Sequence, residues 1–345
     1  MRITWSEGRW FPGFIKGGAM GIVDGLPVYA GGVSQPWRET EMAWYYDSDR
    51  KDWFPAEPMP LGRCYTTGCT AGRGLLVVGG RKSTPKGAIV LDDAWLLERT
   101  RGGRVWKWTE LPHLRQARAV AGLAVVGNLA ICAGGGDWER THGGAFTAAS
   151  VTTVEALDLT NPKAGWVDLG APPFSPRASC SAAGVGGSFY LFGGYECRVN
   201  EQKERHFEYY DDAYRYDPST GRWSEIAPLP VKLRGNEALA YADRYVILMG
   251  GCATIPFMGQ DLPYLGVKSD PRRKLIIGEY SDLVWVYDTM TDSYALLPER
   301  LPHGHNDVHG CINGTTIYLV GGENVDATTS NTTDAFMIGE IREQA

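Results

Sequence analysis

The stretch Leu75-Leu76-Val77-Val78-Gly79-Gly80 runs four apolar residues into two glycines. The same ending recurs at Ala30-Gly31-Gly32, Ala133-Gly134-Gly135, Phe192-Gly193-Gly194, Met249-Gly250-Gly251 and Val320-Gly321-Gly322. Six copies, 48 to 71 residues apart, are self-similarity of the kind that marks a propeller or solenoid. Working outward from each pair, an alternating run follows a polar loop, as in Ala213 to Tyr216, and an aromatic residue closes the unit: Trp53, Trp108, Trp166, Trp223 and Tyr294, with Trp5 standing ahead of the first copy. A small apolar run precedes each pair, as in Ala121 to Val126. Each unit therefore reads as four short strands, a to d, with no helical periodicity of useful length. Glycine at the end of strand b lets the backbone turn where neighbouring sheets crowd an axis.

Gly-Gly, then Tyr-Asp, then Trp, as in Gly193-Gly194, Tyr216-Asp217 and Trp223, resembles the Kelch repeat. The resemblance covers the whole chain. It implies an all-β, six-bladed β-propeller forming one domain over residues 1–345. Ile3-Thr4-Trp5 looks like a d strand without its blade, and Thr333 to Ile338 looks like a c strand without its d strand. The N-terminal strand is expected to complete the C-terminal blade and close the ring, which removes a sheet edge.

A net charge of −6 argues against a general nucleic-acid binder. No apolar run reaches the ~18–20 residues that span a bilayer. The seven cysteines are scattered without paired spacing and read as buried thiols. No cofactor and no metal is expected. No secretion signal is apparent at Met1-Arg2, and the compartment stays open.

In a four-stranded meander the b–c and d–a loops share one face. Here the b–c loops are long and the a–b turns short, so one face is elaborated and the other trimmed, and function is expected on the elaborated one. A cation stands sixteen residues before the first glycine of five pairs: Arg63, Arg118, Arg177, Arg234 and His305, with Lys16 one residue closer in the first copy. A ring of guanidinium groups suits a carboxylate; the competing reading is that these arginines pair with loop carboxylates or backbone. The fourth long loop offers Glu196, Arg198 and His206, the third Trp138 and His142, and the last Glu323. Glu237, three residues after Arg234, is a candidate acid/base group. An aromatic among mixed charges, as at Trp138, suits a sugar.

In size and plan the chain also resembles bacterial N-acetylneuraminate epimerases, sialic acid mutarotases. That resemblance implies an acidic sugar as ligand and a Glu shortly after a Gly, followed by an Arg, as the chemical pair; Glu196 and Arg198 are the nearest match, with Tyr195 intervening. Two alternatives stand beside it. One is a lyase acting on uronic-acid glycans, with His142, His206, Tyr209 or Tyr210 as acid and base. The other is a non-catalytic Kelch module that binds glycan or a protein partner.

Overall fold

The computed structural model describes the backbone except at residues 35–37, 101, 104, 142–144, 200–204, 256–275, 326–329 and 344–345, and the side chains except also at 137–141, 145–150, 197–199, 205–207, 253–255, 276–279, 324–325 and 330–331. Six antiparallel sheets carry the repeats, each a meander in chain order. The first blade is Ala19–Val23, Leu26–Ala30, Ala43–Asp47 and Asp52–Pro55. The sixth is His309–Asn313, Thr316–Val320, Phe336–Arg342 and, from the other end of the chain, Arg2–Glu7, which pairs Arg2 with Arg342 through Glu7 with Met337. The chain is all-β and six-bladed, and its N-terminal strand completes the C-terminal blade.

The apolar alternation of each strand buries side chains on both faces of every sheet. Six hydrophobic clusters result, one between each neighbouring pair of blades. Between the sixth and first blades, Trp53, Tyr46 and Phe336 meet edge-on or tilted at centroid separations of 4.7–5.4 Å. This is why a chain of this length needs no central core. The outer aromatics also point each blade at its predecessor. Trp53 donates to the Arg9 carbonyl (3.2 Å), Trp108 to Glu57 (2.9 Å), Trp166 to Pro112 (2.8 Å) and Tyr294 to Ala227 (2.9 Å), each acceptor lying just past the previous d strand.

Among the described residues the long b–c connections are not loose loops. Five carry two-stranded ribbons, such as Arg81–Thr84 with Gly87–Val90 and Tyr195–Val199 with Arg205–Tyr209. In the fifth blade strand b runs on through Tyr245–Ile255 and pairs with Ile276–Tyr280. The a–b turns are two residues long in five blades. The fifth has three, Ala242, Asp243 and Arg244, between the paired Tyr241 and Tyr245. No helix among the described residues is long and apolar enough to cross a membrane.

Candidate functional site

The double glycine stitches blades together. Its second N–H donates to a carbonyl at the start of the next blade in all six copies: Gly32 to Arg63, Gly80 to Arg118, Gly135 to Arg177, Gly194 to Leu233, Gly251 to His305 and Gly322 to Ile15, at 2.6–2.9 Å. Gly79 has a φ of 56°, and a Cβ there would lie 2.2 Å from the Arg118 carbonyl, so no other residue fits without displacing the neighbouring blade.

These bonds mark equivalent positions around the ring, and they divide the cation series in two. Arg63, Arg118 and Arg177 occupy the stitched position and have essentially no exposed surface. Each donates to the carbonyl of its own first glycine (Gly79, Gly134 and Gly193, at 3.0–3.1 Å) and pairs with a carboxylate: Asp93, Glu155 and Asp212. The pairing is bidentate at Asp93 (2.5 and 2.6 Å) and Asp212 (2.5 and 2.9 Å). Burial opposes ionisation of both aspartates, but the guanidinium hydrogen bonds prevail and hold them below the usual range. These three arginines clasp strand c to the blade entry. The expectation that they hold a ligand carboxylate meets side chains with no surface to offer one. His305 shares their position, is fully buried, lies against the Gly321 carbonyl, and is pushed down to about 4 by burial. The clasp position of the other two blades holds Ile15 and Leu233.

Lys16 and Arg234 stand one residue further in, level with Cys64, Ala119, Ala178 and Asn306. The ladder is explicit: Lys16 pairs with Val33, Cys64 with Arg81, Ala119 with Gly136, Ala178 with Tyr195, Arg234 with Cys252 and Asn306 with Glu323. The next residue of each blade is left-handed: Gly17 (φ 63°), Tyr65 (53°), Val120 (49°), Ser179 (51°), Gly235 (62°) and Asp307 (52°). A β-branched residue in that region is a genuine outlier. A relay of N–H to carbonyl bonds holds it: Val120 to Tyr65, Ser179 to Val120, Gly235 to Ser179 and Asp307 to Gly235, at 2.8–2.9 Å. This ring is the throat of the axial channel, and each blade contributes one residue.

Above the throat, on the elaborated face, a cavity of about 160 Å³ is lined by Lys16, Tyr65, Tyr195, Arg234, Asn306, Asp307 and Glu323, among others. Lys16 is ion-paired with Glu323, whose other oxygen accepts from Tyr280 (3.0 Å) and Asn306 (3.2 Å). The Lys16 ammonium also sits 5.5 Å from the Tyr65 ring centre. Arg234 lies 5.2 and 5.9 Å from the Tyr195 and Tyr209 rings. Two carboxyls in this one cavity are driven apart. Burial and the nearby Glu323 raise the pKa of Asp307 despite Lys16 and Arg234. Glu323, which burial would raise, is lowered by Lys16 and its donors. Lys16 is raised: burial opposes its charge, but Tyr65, Asp307 and Glu323 outweigh it. Below the throat the inner strands bring Glu237 and His309 to the channel. Burial lifts the Glu237 carboxyl to about 8 against donation from Gly310 (2.8 Å) and Ala238 (3.2 Å), and lowers His309 to about 4.

Of the residues singled out from sequence, the structure brings Arg234 and Glu323 into the mouth and Glu237 into the channel beneath it. Glu196 follows Tyr195 on its strand, so it points away from the face that Tyr195 presents; its Oε2 accepts from Tyr210 at 3.4 Å. His142 and the side chains of Trp138, Arg198 and His206 lie outside the described residues. Asp307, Tyr65, Asn306 and Tyr195 were not singled out for the site. The signal for Asp307 and Tyr65 was available, since each stands two residues after a clasp position.

A Kelch motif matches residues 176–230. Over 300 residues the chain is 25% identical to the Kelch-like protein terF of Aspergillus terreus, covering 82% of this chain and 61% of that protein. Over 100 residues it is 35% identical to the N-acetylneuraminate epimerase of Haemophilus influenzae, covering 29% of this chain and 26% of the enzyme. The matched stretch thus spans less than two thirds of either relative. The solved structure of YjhT superposes with a TM-score of 0.69 over 96% of both chains at 18% identity, a likeness of fold. The chain is a six-bladed β-propeller of Kelch repeats. Among such proteins it resembles the N-acetylneuraminate epimerases.

Proposed function

We propose that the mouth of the channel binds an acidic sugar and opens and recloses its hemiacetal ring, the work of a mutarotase. The observation that carries this is the pair Asp307 and Glu323: two carboxyls in one small cavity with their pKa values pushed in opposite directions. Such a pair supplies an acid and a base at the same pH. Glu323, ionised, takes the proton of the anomeric hydroxyl. Asp307, protonated, gives its proton to the ring oxygen as the C–O bond breaks, leaving the open-chain carbonyl form. Reclosure on the other face reverses both transfers. Arg234 supplies the charge for the substrate carboxylate, since Lys16 is already engaged with Glu323. The partial match to enzymes named N-acetylneuraminate epimerase supports this choice of substrate class.

The test is exchange NMR between the anomers of N-acetylneuraminate and other acidic sugars, with uronate oligomers in the same panel. Accelerated exchange of one sugar is expected. Glu323→Gln and Asp307→Asn are each expected to slow it by about 10²–10⁴-fold. Exchange that survives Glu323→Gln would overturn the assignment. Vinyl signals from the uronates would replace a mutarotase with a lyase, and no turnover with retained binding would leave a glycan-binding module.

A further inference from the structure

The mouth does not end at the throat. It shares Tyr65, Val120, Ser179 and Asp307 with a second space of about 90 Å³ beneath. That waist is enclosed by small residues of the inner strands, apolar ones with Thr66, Thr67, Ser179 and Ser181 among them, and three larger polar side chains reach it from adjacent strands: Asn236, Glu237 and His309. Asn236 is only 8% exposed; its amide donates to Ser181 (2.9 Å), while its Oδ1 has no hydrogen-bond partner. His309 presents a buried Nε2 that likewise has none. Glu237 accepts from two backbone amides, those of Ala238 and Gly310. Glu237 and His309 are equivalent positions of adjacent blades, each two residues after the left-handed residue. The Glu237 and His309 pKa values of about 8 and about 4 make both neutral at pH 7.

Orphaned buried polar atoms are rare in native proteins and call for a partner. Two in one cavity, beside the Glu237 carboxyl and open to the sugar-binding mouth, call for the same partner. Its chemistry follows from theirs. An amide oxygen and a neutral imidazole nitrogen take hydroxyl or amide N–H, and a carboxylic acid gives a proton to an oxygen. None of the three compensates a charge. The space holds a few heavy atoms and no ring.

We propose that the waist is a second subsite, which receives a short, uncharged, hydrogen-bonding arm of the sugar whose carboxylate sits at the mouth, an acetamido or hydroxyalkyl group. This rests on the mouth binding an acidic sugar and narrows the substrate to acidic sugars that carry such an arm. It also gives the throat a purpose: the left-handed ring at Tyr65, Val120 and Ser179 frames the passage between the two spaces.

Calorimetric titration of N-acetylneuraminate against tetrahydropyran-2-carboxylate, which has the ring carboxylate and no arm, tests it. The wild-type protein is expected to bind the armed acid at least tenfold more tightly. His309→Phe, which removes the polar atom, and Ala182→Val, which fills the waist, are each expected to remove most of that advantage and leave the armless acid unaffected. Thermal unfolding of both variants checks that they are folded. Equal affinity of the wild type for the two acids overturns the waist and leaves the mouth standing. An advantage that persists in both folded variants also overturns it. Binding of neither acid removes both subsites together.

Discussion

Blades two to four and blades five, six and one solve the same problem of closing onto the axis with different residues. In the first set an arginine at the stitched position is buried against Asp93, Glu155 or Asp212, and its charge is satisfied within the blade. In the second set that position holds Leu233, His305 or Ile15, and charge appears one or two residues later, at Arg234, Asp307 and Lys16, facing the channel. One half of the ring is a frame and the other a site. The difference teaches that a repeated cation is not one feature: a shift of one residue turns a side chain from the blade interior to the axis.

The largest effect should fall on the frame. Arg118→Met leaves Glu155 buried with two backbone donors, Arg115 and Gln116, and no counter-charge. Losing one partner of a buried pair costs about 3–5 kcal/mol, to be read from urea unfolding. Glu155→Gln in the same chain should restore part of it. A loss below 1 kcal/mol would erase the distinction between the two halves.

On the site side, Lys16→Met should act first on protonation. With the ammonium gone, burial dominates at Glu323, so its carboxyl titrates at higher pH. The acid limb of the anomer-exchange profile should move up by about 1–2 pH units. An unmoved limb would take the base role away from Glu323.

Stability against pH should separate the halves by sign. Asp93 and Asp212 have depressed folded-state pKa values, so their contribution is complete above the ordinary carboxylate range and is lost as pH falls through the folded value. Asp307 is raised, so its contribution is greatest in acid and declines as pH rises through its folded value. Asp307→Asn should therefore be neutral near pH 4 and stabilising above it, by about 0.5–2 kcal/mol, while slowing exchange as given above. Tm measured across pH decides this: a variant less stable than wild type at pH 8 would contradict it.

Much of this frame was legible in sequence. The glycine pairs and the closing aromatics carry the blade count because every blade needs the same close approach and the same outer packing. The site was legible only in part. Glu323 stands out because it follows a glycine pair directly. Lys16 and Arg234 were visible as cations but were set in one series with the clasp arginines. Asp307 and Tyr65 carry only a positional signal, two residues after a clasp position, because a left-handed conformation at a non-glycine residue leaves no mark on composition. Counted back from the glycine pairs, Glu237 falls level with Thr66, Ala121 and Cys180; in the structure it is shifted by one, and its partners are Thr67, Gly122, Ser181 and His309.

The cause of that shift is a single residue in an exposed turn, and it yields the smallest predicted effect. Counting back from a glycine pair crosses the a–b turn, which has three residues in blade five and two elsewhere. Replacing Ala242-Asp243-Arg244 by Asn-Gly makes it a two-residue turn of the kind a hairpin favours. The change loses the Asp243 acceptor for the Gly186 amide (2.8 Å) and the exposed Arg244–Asp288 pair, the latter worth about 0–1 kcal/mol. It relieves left-handed strain at Ala242 and Asp243. These terms nearly cancel, so stability should change by less than about 1 kcal/mol and ligand binding not at all, because the ladder from Tyr241 back to Arg234 keeps its register. If instead the strand slipped by one residue to absorb the deletion, every side chain would change faces. Arg234 would then leave the mouth, and binding would vanish in a protein that still folds.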